Sequence, residues 1–258
     1  GNVLLRKEQY RCSDDEIRSC QIAKYFIVGK IFNSRSVLER AKRDHPMSFD
    51  IQSLKEISSS LLRLAKEARK CCDLDSLRGY EGEAASLYFS VFDHLILQNK
   101  KIFSFKQRMK RPPKDSVNAL LSFCYTILAN DCASALEAVG LDAYVGFLHR
   151  DRPGRISLAL DLMEELRSIY ADRFVLTLIN NRKINASAFE RQENGAVLLN
   201  DKGRKIFLTD WQNRKKDIIK HPFLDEKIPW GLVPFVQAQL LGKVLRGDLD
   251  VYPSFLWK

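Results

Sequence analysis

The sequence lacks the short motifs that identify several common enzyme classes. None of the patterns G-x-x-x-x-G-K-[ST], G-x-G-x-x-G, G-x-S-x-G and H-E-x-x-H occurs in its 258 residues. These patterns build a phosphate-binding loop, a dinucleotide-binding turn, a serine nucleophile elbow and a zinc-binding helix, respectively. Nucleotide hydrolysis, hydride transfer and serine hydrolysis therefore have no motif to support them.

Long apolar runs and targeting signals are also missing. No stretch approaches the roughly 18 consecutive apolar residues that a membrane-spanning helix requires. The amino terminus does not show the basic segment followed by an apolar one that marks a secretory signal. We expect a soluble, cytoplasmic protein without a membrane partner.

Paired C-x-x-C motifs, which zinc sites and redox centres use, do not occur among the six cysteines. The cysteines stand among apolar residues, so we predict reduced, mostly buried thiols rather than disulfides or zinc ligands. They are Cys12, Cys20, Cys71, Cys72, Cys124 and Cys132.

Apolar residues at helical spacing are abundant. Hydrophobic residues make up 45% of the chain, and from Asp14 onwards they recur at helical intervals. Pro112 and Pro113 interrupt this pattern, and a last helix is expected after Pro234. The stretch "GAVLLNDKGRKIFLTDW" alternates like a short hairpin with "DKG" as its turn. The predicted fold is mainly α, with one short β-hairpin.

Basic residues outnumber acidic ones by 42 to 32, a formal charge of +10, which favours an anionic partner such as nucleic acid or a membrane surface without choosing between them. The segment "KKIFSFKQRMKRPPK" alone holds seven basic residues, two phenylalanines and no acid. Such side chains bind a phosphate backbone and stack on unpaired bases, although a basic run is also typical of a solvated loop. The candidate DNA-binding residues are Lys106, Arg108, Lys110 and Arg111 here, and Arg150 in a later loop.

One glutamate stands where an amphipathic helix needs an apolar residue. In "LRGYEGEAASLYFSVFD", a helical wheel places Glu81 among apolar side chains and points Glu83 nearly the opposite way. A buried carboxylate needs a cation or hydrogen bonds to replace its hydration. Glu81 is therefore either a ligand or, if Gly79 ends the preceding element, an acid that stabilises a helix start.

Only four histidines are present, and His149 lies in "VGFLHRDRPGR", a loop followed by an acidic helix. In that helix Asp161 and Glu164 stand three residues apart, and spacing leaves open whether Glu164 or Glu165 faces His149. A surface histidine beside a solvated acidic face is the plainer interpretation. If these side chains meet Glu81, their oxygen and nitrogen donors suit Mg²⁺ or Mn²⁺ better than zinc.

Several of these segments together resemble one known family, the integrase of the CRISPR adaptation machinery (Cas-one), a metal-dependent DNA endonuclease and integrase. The resemblance rests on an E-G pair before A-x-x-Y-F, then G-F-L-H, then D-L-x-E-E, and it extends through "LINNRK". The tail "HPFLDEKIPWGLVPFVQAQLLGKVLRGDLDVYPSFLWK" resembles the type I-C branch of that family.

The resemblance implies a metal site. It makes Glu81, His149 and Glu164 the catalytic ligands of one Mg²⁺ or Mn²⁺ ion, with Asp161 as an adjacent acid that supports the site. It thereby favours Glu164 over Glu165.

The same resemblance implies an activity and partners. A 3′-hydroxyl of a captured double-stranded DNA fragment attacks a phosphodiester at the CRISPR repeat, without a covalent enzyme intermediate. Arg152 matches a basic position near the DNA, and Asn118 matches an asparagine before the long central helix. The implied protein partners are the small ferredoxin-like protein Cas-two and, in the full-length protein, a second copy of the chain.

Family members carry a smaller β-rich domain ahead of the helical one. The chain begins at Gly1 rather than at a methionine, and "GNVLLRKEQY" resembles the junction between the two domains. We therefore expect residues 1–12 to be a stub or linker, in which Gly1 to Leu5 end a strand, and residues 13–258 to form an α-helical catalytic domain.

Two other functions fit the same residues. The chain would act either as a metal-dependent nuclease on branched DNA or as a basic helical module that binds DNA without catalysis. A chelator separates the two enzymatic functions from the binding function, because only the enzymatic ones need a metal ion.

Overall fold

The structure, a computed structural model, is built almost entirely from helices, as the periodicity predicts. It describes residues 2–45 and 51–257. In those residues the α-helices are α1 Val3–Asp14, α2 Glu16–Asp44, α3 Ile51–Lys70, α4 Leu74–Ser90, α5 Ser116–Ala138, α6 Ser157–Glu164, α7 Arg173–Asn180, α8 Asp201–Lys216 and α9 Val233–Arg246. The predicted mainly α fold is confirmed.

Aspartate side chains mark where three of these helices begin. Asp15 accepts hydrogen bonds from the backbone N–H groups of Ile17 and Arg18, at 2.9 and 3.1 Å, ahead of α2. Asp73 and Asp115 cap α4 and α5 in the same way. Such caps replace hydrogen bonds that the first turn of a helix cannot make internally. The start of α4 is therefore set by Asp73.

The core is centred on α5, which packs against α6, α7 and α9 and buries Leu120, Leu121 and Leu128 completely. By length and composition α5 would also suit a membrane span, but it packs against other helices as a core helix does. The six cysteines are free thiols, as predicted, and all but Cys72 are buried.

Helix α2 brings the candidate site together. It packs along α3 and α4 and also against α6, so side chains from three distant parts of the sequence meet beside it. After α6 the chain continues through a π-helical segment, Arg167–Asp172, directly into α7. A π-helical turn is wider than an α-turn and is frequent at functional sites.

A short hairpin is present, but it is not the predicted one, because only its second strand lies in the stretch for which a hairpin was predicted. Strand β1, Phe189–Arg191, pairs antiparallel with β2, Val197–Leu199, and the chain reverses between them. The "DKG" residues instead form the first turn of α8, because the Asn200 side chain accepts a hydrogen bond from Gly203 N at 2.9 Å. A helix cap therefore takes precedence over a turn at this position. A second antiparallel pair, β3 Ile218–Lys220 and β4 Lys227–Pro229, was not predicted.

The amino-terminal segment is helical, so the expected strand end is wrong for the described residues; Gly1 lies outside them. Helix α1 runs from Val3 to Asp14 and is anchored by Gln9, which is fully buried. The Gln9 side-chain amide donates to the carbonyl oxygens of Asp142 and Val145, both at 2.8 Å. Helix α1 thus packs as part of the helical unit. The expectation of a β-rich domain ahead of it, with a boundary at residue 12, stays a prediction.

Candidate metal centre

Two of the three predicted ligands meet at a lysine. The ammonium group of Lys30, on α2, donates to Glu81 Oε1 on α4 and lies 2.6 Å from Glu164 Oε2 at the end of α6. The Lys30 side chain is 10% exposed, that of Glu81 28% and that of Glu164 5%. Glu81 and Glu164 therefore share one buried cation, although 83 positions separate them in the sequence.

The structure rules out the helix-start explanation of Glu81. Asp73 caps α4 and Leu74 is its first residue, so Glu81 is the eighth residue of the helix. The attraction of the helix dipole for an acid fades within the first turn. Glu83 is exposed and pairs at the surface with Arg63 at 3.1 Å. The cation that Glu81 needs is supplied by Lys30.

Lys30 is a functional residue that the sequence analysis missed. It lies one helical turn after Phe26, which is fully buried, so it breaks the apolar face of α2 just as Glu81 breaks that of α4. A search for opposite charges on core-facing helix stripes would have found both residues. It would not have paired them, because α2 and α4 come together only in the fold.

Glu164 is an ionised, buried carboxylate. Arg167 donates from Nη1 to its Oε1 at 2.8 Å, whereas its Oε2 is buried without a hydrogen bond of normal geometry. Burial opposes ionisation, but the positive charges of Arg167 and Lys30 hold the pKa of Glu164 far below its usual range. Glu164 thus presents an anionic oxygen to any cation that enters.

Asp161 organises the third predicted ligand. Its carboxylate, fully buried, accepts the backbone N–H groups of Phe147, Leu148 and His149 at 2.6, 2.9 and 3.1 Å, and it contacts His149 Nδ1 at 2.5 Å. An acceptor at Nδ1 fixes that nitrogen as the donor and leaves Nε2 unprotonated, which is the usual arrangement around metal-binding histidines. A Cβ at Gly146 would lie 2.9 Å from Asp161 Oδ2, so glycine is required at this close approach.

The three ligands do not converge fully in this structure. Within residues 2–45 and 51–257 no three His, Cys, Asp or Glu side chains are close enough to hold an ion together. Two carboxylates and an imidazole oriented by a carboxylate nevertheless form a donor set that fits Mg²⁺ or Mn²⁺. The buried Glu164 Oε2 without a regular hydrogen bond supports that fit.

Glu165, the alternative to Glu164, faces the other way. Its carboxylate accepts hydrogen bonds from the Tyr252 hydroxyl, from Gln237 Nε2 at 2.8 Å and from Phe255 N at 2.8 Å. Burial among these neutral donors raises its pKa to about 7. Glu165 anchors the carboxy-terminal segment, and its orientation excludes it from the site beside Lys30.

The basic segment forms one wall of a cleft beside the site. The cleft has a volume of about 380 Å³. Its charged lining residues are Lys30, Glu81, Lys106, Arg108, Lys110 and Arg167. Lys106, Lys110 and Arg111 are exposed, as surface DNA contacts require. The pKa of Lys110 is lowered by desolvation and by repulsion from Arg167 and Lys30, which shows how densely cations are packed here.

The structure corrects the prediction that Asn118 contacts DNA. Asn118 is fully buried, and its side chain accepts hydrogen bonds from Arg108 Nη1 and Met109 N, at 2.7 and 2.9 Å. It also donates to the Gln107 carbonyl at 2.9 Å. Asn118 therefore holds the basic segment against α5. The sequence alone could not distinguish a DNA contact from this internal role, because an asparagine at the start of a helix is compatible with either one.

Arg108 is half-buried and committed to contacts within the protein. It bonds to Asn118 and to Ser122, and its guanidinium lies 5.3 Å from the Tyr125 ring. The Arg167 guanidinium lies 4.3 Å from the same ring. The Tyr125 hydroxyl in turn donates to Asp172 at 2.5 Å. This tyrosine, which the sequence analysis also missed, links the basic segment to the arginine that contacts Glu164.

The loop after His149 carries two exposed arginines, Arg150 and Arg152. The Arg150 side chain is 78% exposed and lies 3.9 Å from Asp75. His149 and Arg150 line a second cleft of about 260 Å³, whose opposite side includes Arg78. Both arginines remain candidates for DNA contact.

Comparison with known proteins shows which proteins this chain is similar to. A family model described as CRISPR associated protein Cas1 matches residues 1–213. The CRISPR-associated endonuclease Cas1 2 of Rhodospirillum rubrum is 54% identical over 262 residues, covering 100% of this chain and 75% of that protein. A casposase bound to integration product superposes with a TM-score of 0.85 at 26% identity, over 100% of this chain and 69% of that one. A chain of a Cas6-RT-Cas1–Cas2 complex gives a TM-score of 0.82 at 25% identity, over 100% and 27%.

Proposed function

The chain belongs to the Cas1 family of CRISPR-associated proteins, and from that premise we propose that it inserts DNA fragments at a CRISPR repeat by metal-dependent transesterification. A nuclease or integrase activity in CRISPR adaptation agrees with the names of its relatives. The proposal adds the metal ion and the attack of a DNA 3′-hydroxyl.

The observation that carries the proposal is the meeting of Glu81 and Glu164 on one cation, together with a histidine whose Nδ1 is held by Asp161. These residues would hold Mg²⁺ or Mn²⁺, which when bound stabilises charge on a phosphodiester and assists an attacking hydroxyl. Asp161 keeps His149 in the tautomer that binds through Nε2. The low pKa of Glu164 keeps its carboxylate ionised at neutral pH.

The chain's own cations would bind the substrate. Lys106 and Lys110 line the same cleft as Glu81, and Arg111 is exposed on the same segment. Phosphate contacts position DNA without reading its sequence. Arg150 and Arg152 would extend this contact along the loop after His149. No side chain of the protein need act as a nucleophile, because the attacking hydroxyl belongs to the DNA.

The partners follow from the same proposal. One structural neighbour is a casposase bound to integration product and another is a complex that contains Cas2, so we propose DNA and a Cas2 protein as partners of this chain. We further propose a homodimer, a cytoplasmic location and a type I-C system.

Strand transfer tests the proposal. A labelled double-stranded fragment with a free 3′-hydroxyl is incubated with Mn²⁺, Cas2 and a supercoiled plasmid that holds the repeat. We expect Glu81→Ala to abolish joining while salt-sensitive DNA affinity stays, because affinity depends on phosphate contacts. Glu83→Ala, two residues away and exposed, is the matched control and should join normally.

The products also separate the other functions. Cutting of branched DNA without joining would indicate a nuclease, and DNA binding unaffected by EDTA, with neither cutting nor joining, would indicate a binding module. Joining that persists in EDTA would overturn the metal proposal. If Glu81→Ala also lost the DNA affinity that is measured without a metal ion, Glu81 would be a structural residue.

A further inference from the structure

The ammonium group of Lys30 occupies the place where the two carboxylates come together. It contacts both Glu81 and Glu164, and 90% of its side chain is removed from solvent. A buried lysine is stabilised only by groups that replace its hydration, and these two carboxylates do so. A divalent ion bound to the same oxygens would lie close to this ammonium, and the repulsion between the two positive charges would oppose binding while Lys30 stays in place.

We propose that Lys30 is a built-in counter-ion that a divalent ion must displace, so that Lys30 lowers the metal affinity of the site and couples metal binding to DNA binding. This inference rests on the proposed function, because it assumes that Glu81 and Glu164 are ligands. It adds a role for a residue that lies on a third helix and is not itself a metal ligand.

The adjoining cleft gives the displaced ammonium a place to move. Lys30 already lines this cleft, and its four-carbon stem lets the charged end swing without a backbone change. Besides Lys30, four cations line this cleft, and an ammonium that enters it alone meets these like charges: Lys106, Arg108, Lys110 and Arg167. A DNA phosphate in the cleft would remove that repulsion. DNA should therefore favour the displaced position of Lys30 and, with it, a bound metal ion.

Such coupling is reciprocal in thermodynamics. If DNA raises the affinity for the metal ion through Lys30, the metal ion raises the affinity for DNA by the same factor. Without Lys30 the two carboxylates would bind the metal ion more tightly, and DNA would change that affinity less.

Binding of Mn²⁺ tests this inference without any activity measurement. Free Mn²⁺ is followed by its electron paramagnetic resonance signal during titration of wild-type, Lys30→Met and Lys30→Gln chains. We expect both variants to bind Mn²⁺ at least about tenfold more tightly, since a charge-assisted hydrogen bond no longer has to be broken. A duplex oligonucleotide should tighten Mn²⁺ binding by wild type and have a smaller effect on both variants.

Two further variants make the result decisive. Lys30→Arg keeps the positive charge and should bind Mn²⁺ no more tightly than wild type. Lys30→Met should lower the melting temperature without metal and recover it with Mn²⁺; if it does not fold without metal, Lys30→Gln, which retains hydrogen-bond donors, decides the test. Equal or weaker Mn²⁺ binding by the Met and Gln variants would overturn the inference.

Glu81→Gln separates this outcome from failure of the proposed function. If wild type binds Mn²⁺ and Glu81→Gln does not, the metal site exists and the Lys30 variants report on displacement alone. If Glu81→Gln binds Mn²⁺ as wild type does, the metal site itself is wrong, whatever the Lys30 variants show.

Discussion

Glu164 and Glu165 are neighbours in the chain and both are buried, yet they lie in opposite electrostatic environments. Glu164 faces two cations, Lys30 and Arg167, which keep it ionised. Glu165 faces neutral donors from the carboxy-terminal segment, and burial raises its pKa to about 7. The charge of the partners, rather than burial, decides which of the two is a permanent anion.

The two environments serve different purposes. Glu164 lies in a cluster of positive and negative side chains beside an open cleft. A cation or a phosphate that enters the cleft can therefore replace one of these charged partners. The side of Glu165 is closed by Gln237, Tyr252 and Phe255, which satisfy the carboxyl group with hydrogen bonds. Of these two adjacent carboxyl groups, that of Glu164 thus belongs to the candidate binding site and that of Glu165 anchors the carboxy-terminal segment.

The largest expected difference between the two sides is in catalysis. Glu164→Gln should reduce Mn²⁺-dependent strand transfer more than about 100-fold. Changing an outer-shell partner of a metal ligand can already cost up to about 100-fold, and Glu164 is proposed as a ligand itself. Glu165→Gln should leave strand transfer within a few-fold of wild type, because this side chain faces the tail. Rates are compared per folded molecule, since Glu164→Gln also leaves Arg167 and Lys30 less well paired. Equal losses in the two variants would show that the two sides are not separate.

The next effect concerns stability between pH 4.5 and pH 8, the range in which Glu165 titrates and Glu164 stays ionised. A carboxyl group whose pKa is raised from 4.5 to about 7 by folding contributes stability that is complete below pH 4.5 and lost as pH rises through 7. The loss is of order 3 kcal/mol. Glu165→Gln cannot ionise, so its free energy of unfolding should rise relative to that of wild type between pH 4.5 and pH 8.

Chemical denaturation at a series of pH values measures this difference. Subtracting the wild-type curve from that of the variant removes the other titrating groups, such as Asp172, which the two proteins share. Curves that stay parallel over the whole range would mean that Glu165 is ionised throughout, as Glu164 is.

The smallest effect should come from the exposed cations at the edge of the cleft. Replacing Lys106, Lys110 and Arg111 with alanine should weaken DNA binding and reduce the slope of log affinity against log salt by about 0.9 for each phosphate that is no longer neutralised. Arg108 is left intact because its contacts are internal. Alanine at Lys243, an exposed residue of α9, is the control and should leave the slope unchanged. If the triple variant leaves the slope unchanged, the basic segment does not contact DNA phosphates.

Local signals in the sequence predicted the local features of this fold. Helical periodicity identified most of the helices, although not α1 or the start of α8, and the wheel placed Glu81 on the inner face of α4 and Glu83 on the outer one. The "DKG" turn was wrong because Asn200 caps a helix there, and turn and cap residues are drawn from the same small set.

The candidate site depends on contacts between residues that lie far apart in the sequence, and the spacing of residue types along the chain does not reveal such contacts. Lys30 meets Glu81 from 51 positions away, and Asn118 reaches back to the basic segment rather than out to DNA. Helical periodicity also could not decide between Glu164 and Glu165, because the helix changes from α to π just after them. Family resemblance selected Glu164, and the structure supplies a physical reason for that choice in the cations that face it.

The central claim is that Glu81, Glu164 and His149 hold a divalent ion in exchange for Lys30. Crystals soaked in Mn²⁺ and measured at the manganese absorption edge test it directly. We expect an anomalous peak among these three side chains, with the Lys30 ammonium moved into the cleft. A peak elsewhere, or Lys30 still between the two carboxylates at saturating Mn²⁺, would contradict it.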